Sequence, residues 1–149
     1  MFSSTNFLHQ YDSLKAKSLK SRSLSILDTE PLLNSLSEIF KVSILGKSEA
    51  GLPIHGIKIG SGEKRILCWS QMHGNETTTT KAIFDLFNFF KNGHYKDLLD
   101  SCTLFIIPIL NPDGAVAYTR FNANNVDLNR DAAIRSQKES NILRSVFDK

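Results

Sequence analysis

The strongest constraint on the fold is a change of hydrophobic period between residues 65 and 107. RILCWSQ (65–71) is a short apolar run of the kind that makes a buried strand. From Asn75 the apolar residues recur at helical spacing instead: Ile83, Phe84, Phe87 and Phe90, with Leu86 beside them, predict a helix ending near Asn92-Gly93. The phenylalanines are read as core. TLFII (103–107) is the next buried strand, stopped by Pro108, which has no N–H to donate to a ladder. Strand, helix, strand in that order implies an α/β fold with right-handed crossovers.

Upstream, KVSIL (41–45) and LPIHGIKI (52–59) flank the turn sequence GKSEAG and predict a hairpin. Apolar residues at mixed helical spacing in 6–15 (Phe7, Leu8, Tyr11, Leu14) and 29–40 (Leu32, Leu33, Leu36, Ile39, Phe40) predict a helical lead-in over residues 1–40. Residues 111–131 read as a long polar loop, followed by an amphipathic segment carrying Ile134, Ile142, Leu143, Val146 and Phe147. The expected fold is α/β, with a mixed, mainly parallel sheet flanked by helices. Loops longer than ~12–15 residues are usually functional or disordered, which makes 111–131 the first place to look for a site.

Composition narrows the function classes. With 41% hydrophobic and 22% charged residues the chain has an ordinary globular balance and can bury a core. The net charge of +3 is mild, and Lys15, Lys17, Lys20 and Arg22 are diluted by serines and leucines rather than gathered with aromatics, which argues against nucleic-acid binding. No stretch approaches the ~18 continuous apolar residues of a membrane span, and the N-terminus has no apolar signal-peptide core, so a soluble, cytoplasmic protein is expected. Cys68 and Cys102 both fall in apolar runs and are expected to be reduced core thiols.

Two segments carry chemistry. In QMHGNETTTT (71–80), His73 and Glu76 lie on a strand-to-helix turn, where an imidazole nitrogen and a carboxylate can point at one cation such as zinc. The bland alternative is a hydrogen-bonded core histidine beside a helix-start glutamate. In NPDGAVAYTRFNANNVDLNRD (111–131), a Pro-Asp-Gly turn precedes Arg120, Asp127, Asn129 and Arg130. Arginine's planar fork suits carboxylates, and a neighbouring asparagine adds directional hydrogen bonds, so the set is suited to an anion. Taken singly, each is an ordinary loop residue; placed together one strand after His73 and Glu76, they point to a site.

HGNE and NPDG…R…VDLNRD, in this order, resemble the zinc carboxypeptidase family, the metallocarboxypeptidases of the carboxypeptidase A type. The resemblance covers roughly residues 40 to 147 and implies an α/β zinc-dependent exopeptidase-like domain from 41 onward. It makes His73 and Glu76 two of three protein ligands of a catalytic zinc ion (Zn2+). It gives Arg120 the role of polarising the scissile carbonyl and stabilising the oxyanion. Asn129 and Arg130 would hold the substrate's C-terminal carboxylate, and Asp127 would accept the other ring N–H of the zinc histidine. The implied substrate is a peptide or small amide with a free C-terminal carboxylate.

Four positions depart from the family's usual pattern: Asn75 replaces an arginine of the digestive members, Asn125 a common glycine, and Asp131-Ala132 the more usual asparagine and aromatic after Asn-Arg. The family's third ligand, a histidine, and its general-base glutamate follow the Asn-Arg pair. Of the nineteen residues after Arg130 none is a histidine, and the acids are Asp131, Glu139 and Asp148. His9, His55 and His94 precede the second motif and are read as surface or structural. The chain is therefore expected to be the N-terminal part of a catalytic domain, incomplete at the C-terminus, inactive alone and short of sheet strands on an apolar edge. Two other readings stay open. One is a zinc-dependent N-acyl amino acid deacylase of the succinylglutamate desuccinylase and aspartoacylase type, or a murein peptide amidase. The other is a non-catalytic fragment that binds metal weakly or not at all.

Overall fold

The computed structural model describes residues 11–91 and 95–148. His9, His94, residues 6–10 of the first predicted helix and the Asn92-Gly93 helix end lie outside them. A helical turn at 11–14 leads to helix α1 (Ile26–Leu36), strands β1 (Lys41–Lys47), β2 (Pro53–Ile59) and β3 (Lys64–Trp69), and helices α2 (Thr78–Lys91) and α3 (Lys96–Ser101). Strand β4 (Cys102–Ile107) and helices α4 (Pro112–Ala117), α5 (Leu128–Asp131) and α6 (Lys138–Phe147) follow. Among the described residues, no helix is long and apolar enough to cross a membrane.

The four strands form one sheet in the order β1-β2-β4-β3. β1 and β2 are the predicted hairpin, β4 joins β2 antiparallel, and β3 lies parallel to β4. The mixed α/β layering is as expected, but among the described residues parallel pairing is confined to β3–β4, where α2 supplies the long connection that two parallel strands need. The expectation of a mainly parallel sheet does not describe these strands, because the hairpin and its antiparallel join to β4 supply the other pairings.

Side chains alternate across β4. Cys102, Leu104 and Ile106 enter a cluster with Ile57, Ile59 and the α2 residues Ile83, Phe84, Phe87 and Phe90, while Phe105 and Ile107 face the opposite side. Phe84 and Phe87 meet edge to face at 5.5 Å between centroids. Leu19, Leu24, Leu33 and Leu36 of the lead-in belong to this same core. On the other face Ile54, Ile107 and Leu110 pack against Ile142, Leu143 and Val146 of α6. Ile134 and Phe147, counted in the amphipathic pattern, instead point outward at 77% and 66% exposure. Cys68 and Cys102 are free thiols, as expected; Cys68 packs against the core and lies opposite Ile106, not opposite Cys102.

Residues 111–131 are not one loop. Asn111, Pro112 and Asp113 start a helix: the Asn111 side chain accepts the Gly114 N–H at 2.8 Å, and the proline occupies a first-turn position where its missing N–H costs nothing. Helix α5 then starts from Asp127, whose carboxylate caps it by accepting the Asn129 N–H. Between them, Asn125 has φ 59°, the left-handed conformation that asparagine tolerates. β3 pairs only with β4 among the described residues, and Ile66 and Trp69 on it are exposed.

Candidate active site

The turn bearing His73 is built by what surrounds it. β3 ends at Trp69, and the chain then passes through Gln71 with φ 44°, a conformation a non-glycine residue holds only when its surroundings enforce it. Here they do. The buried Gln71 amide donates to Leu24 O at 2.9 Å and Gly74 O at 2.8 Å, and its oxygen accepts the Thr80 hydroxyl at 2.7 Å. Asn111 N–H donates to Gln71 O, so the two loops after the parallel strands are tied together. A side chain on Gly74 would run into the backbone of Gly114 and Ala115. The glycine of HGNE thus lets the two turns touch main chain to main chain, while a side chain on Gly114 would meet Phe121 O and the Asn111 side chain within its own loop.

Glu76 precedes α2 by two residues, on the strand-to-helix turn the sequence predicts, with its N–H donating to His73 O at 3.1 Å. That short turn brings Glu76 Oε1 to 3.0 Å from His73 Nδ1. The other ring nitrogen, Nε2, is 3.0 Å from Asp127 Oδ1. Asp127 Oδ2 accepts the Arg120 Nε–H at 3.0 Å, and an Arg120 terminal nitrogen stands 3.7 Å from Glu76 Oε1. His73 and the Asp127 carboxylate are largely buried at 11% and 15% side-chain exposure, while Glu76 opens to solvent at 64%. Burial works against ionisation of Asp127, but hydrogen bonds from Arg120, His73 and the Asn129 amide outweigh it and lower its pKa to about 2.

These contacts fix the chemistry of the imidazole. An ionised Asp127 only accepts, so Nε2 carries the hydrogen that binds it. Nδ1 then faces Glu76 Oε1 at 3.0 Å. Two electron-rich atoms at that separation need a proton or another cation between them. A nitrogen and an oxygen donor converging on one point, with the second ring nitrogen held by a carboxylate, fit the donor chemistry of zinc. They are two donors only. Among the described residues no group of three or more His, Cys, Asp or Glu side chains is arranged to hold a metal ion.

The structure therefore brings His73, Glu76, Arg120 and Asp127 together. Asn129 and Arg130 sit on α5 and are attached to Asp127 through their backbone N–H groups. Their side chains are exposed and make no hydrogen bond or ion pair with other described residues. His55 lies on β2, away from this group, and burial pushes its pKa down. Sequence reading missed the supports: Gln71, Thr80 and Asn111 are all buried polar residues that shape the two turns. A glutamine at the end of an apolar strand run and an Asn-Pro pair in helix-starting position were the available signals.

The sequence pattern of the family described as zinc carboxypeptidase matches residues 29–144. Carboxypeptidase SOL1 of Arabidopsis thaliana is 34% identical over 106 residues, which cover 64% of this chain and 22% of that protein. Carboxypeptidase M of Mus musculus is 30% identical over 115 residues, 63% of this chain and 26% of its own length. Among solved structures, a metallo-carboxypeptidase from Burkholderia cenocepacia has a TM-score of 0.77 at 21% identity, covering 85% of this chain and 38% of that one. A putative carboxypeptidase A from Shewanella denitrificans has a TM-score of 0.75 at 24% identity, covering 83% and 36%. At such identities these likenesses show the fold. The chain spans about a quarter of the length of the curated relatives it matches. By the extent of the sequence match, the chain belongs to the zinc carboxypeptidase family.

Proposed function

We propose that this chain carries one side of a zinc carboxypeptidase active site, in a protein that hydrolyses the C-terminal peptide bond of a peptide or small amide. The observation that carries the reading is the two-sided grip on His73: Asp127 on Nε2 and Glu76 facing Nδ1, each at 3.0 Å. His73 and Glu76 would hold the metal. A bound zinc ion supplies Lewis acidity and lowers the pKa of its water to about 7.

The chain's own residues then have distinct tasks. Asp127 fixes the tautomer and direction of His73 and raises the basicity of Nδ1. Arg120, held by its Nε–H on Asp127, keeps its terminal nitrogens available for a substrate carbonyl whose oxygen gains charge during the reaction. Asn129 and Arg130, exposed beside it, supply a planar donor fork and an amide for a terminal carboxylate. A clamp of that kind favours substrates cut one residue from their end.

With two of the three protein ligands, this chain alone binds zinc weakly and does not turn over a blocked dipeptide. Calorimetric titration of the chain with zinc, beside the His73→Ala variant, tests the ligand assignment. The expected result is weak binding that the substitution abolishes. Binding heat unchanged in His73→Ala would refute it, and turnover by the chain alone would refute the incomplete ligand set.

A further inference from the structure

Behind the candidate site lies a buried polar layer that the zinc chemistry does not use. Glu139, in the first turn of α6, is fully buried. Its Oε1 accepts the Glu49 N–H at 3.1 Å, from the turn between β1 and β2, and its Oε2 accepts the Asn122 amide at 3.3 Å. Asn122 is itself buried. Its Nδ2 also donates to Gln137 at 2.9 Å, and its Oδ1 accepts the N–H groups of Asn124 at 3.1 Å and Val126 at 3.0 Å.

Residues 122–126 are thus wrapped around one asparagine side chain, with Asn122 N–H donating to Val126 O to close the loop. Arg120 and Asp127 stand at its two ends. The β1–β2 turn on the far side is held in return: Glu49 Oε1 accepts the Lys138 N–H at 2.8 Å, and Asp113 accepts the Ser48 hydroxyl at 2.6 Å and the Ala50 N–H at 3.0 Å. An apolar residue in place of Glu139 would avoid the desolvation of a carboxylate, but would leave the Glu49 and Asn122 donors unpaired.

We propose that Glu139 and Asn122 are positioning residues of the candidate active site: a buried carboxylate–amide pair that fixes loop 120–127, and with it the Arg120–Asp127–His73 geometry, against the β1–β2 turn. The proposal rests on the zinc reading for its functional consequence, and its structural core stands separately. Neither residue touches metal or substrate; both act through the loop.

The polarity of the pair provides the test. Glu139→Gln sets a donor against a donor, at either the Glu49 N–H or the Asn122 amide. Asn122→Asp sets a carboxylate against a carboxylate. The double exchange restores complementarity between the two positions, because an amide at 139 donates to a carboxylate at 122 that still accepts the Asn124 and Val126 N–H groups; only the Gln137 oxygen, which accepted from Asn122, is left facing an acceptor. Amide hydrogen exchange on the 149-residue chain should show Val126 and Glu49 opening about tenfold more often in each single variant, the scale of one unsatisfied buried group, with the β2–β4 ladder unchanged. Zinc affinity should fall about tenfold alongside, and the double exchange should recover part of both, short of the wild type by the lost Gln137 contact.

Single variants that leave Val126 and Glu49 protected, or a double variant as loose as the worse single one, would overturn the proposal. A loosened loop with undiminished zinc affinity would overturn the positioning role while the zinc reading stands. If the wild-type chain binds no zinc, the zinc reading fails, and the exchange pattern alone decides whether the pair holds the loop.

Discussion

Asp127 and Glu139 are carboxylates reached from the same loop, one facing the site and the other behind it, and their environments pull their proton affinities in opposite directions. Both are penalised by burial. Asp127 is repaid by the Arg120 and His73 donors and falls to about 2, whereas Glu139, with the neutral donors of Glu49 and Asn122 and the like charge of Asp113 nearby, is raised above its ordinary value. The site side is arranged to keep a charge; the rear layer is arranged to keep a shape. A carboxylate's role in this fold follows from whether a cation or an amide answers it.

The comparison can be broken at several points. Gly74→Ala should do the most damage, because a methyl group there collides with the Gly114 backbone and shifts both regions together. A loss of at least ~3 kcal/mol in urea unfolding is expected; a loss under about 1 kcal/mol would mean that the two turns can separate. Glu139→Ala should cost about 2–3 kcal/mol by the same measurement, for the stranded donors and the cavity. Asp127→Ala should cost only about 1–2 kcal/mol, since Arg120 is partly exposed and solvent screens the pair. A reversed order of these last two would contradict the division between the regions.

Zinc titration should separate them the other way. Asp127→Asn keeps the shape but no longer fixes the imidazole, and should weaken zinc binding by about 10–100-fold with a small change in stability. The pH dependence is the finest test. Asp127, depressed in the folded state, contributes stability that is present above its ordinary value of 3.8 and is lost as pH falls toward about 2. Glu139, raised in the folded state, contributes in the opposite sense: its share is intact below 4.5 and is lost as pH climbs through the folded value. Urea midpoints across this range should flatten at the acid end in Asp127→Asn and at the upper end in Glu139→Gln. Parallel slopes in both variants would remove the contrast.

The sequence was informative where periodicity or spacing is local. Strand β3, helix α2 and strand β4 followed from a change of period, and the convergence of His73 with Glu76 from a turn of three residues. The order that inserts β4 between β2 and β3 is carried by long-range pairing and leaves no local trace. Helices α4 and α5, at six and four residues, are too short to show a period, so Pro112-Asp113-Gly114 reads as a turn in sequence although it is the first turn of a helix capped by Asn111. Glu139 was invisible for another reason. A single glutamate on an amphipathic helix reads as a solvated face, and its partners Asn122 and Glu49 lie 17 and 90 residues away in the chain.

The contact between Gly74 and Gly114 also restricts how this protein can vary. When two packed side chains meet, enlargement of one can be accommodated by trimming the other, and a lineage can drift through such paired exchanges. Here neither partner has a side chain to trim. Position 74 is a dead end for compensation, and the histidine turn can change there only if the backbone of the Asn-Pro-Asp-Gly turn moves with it.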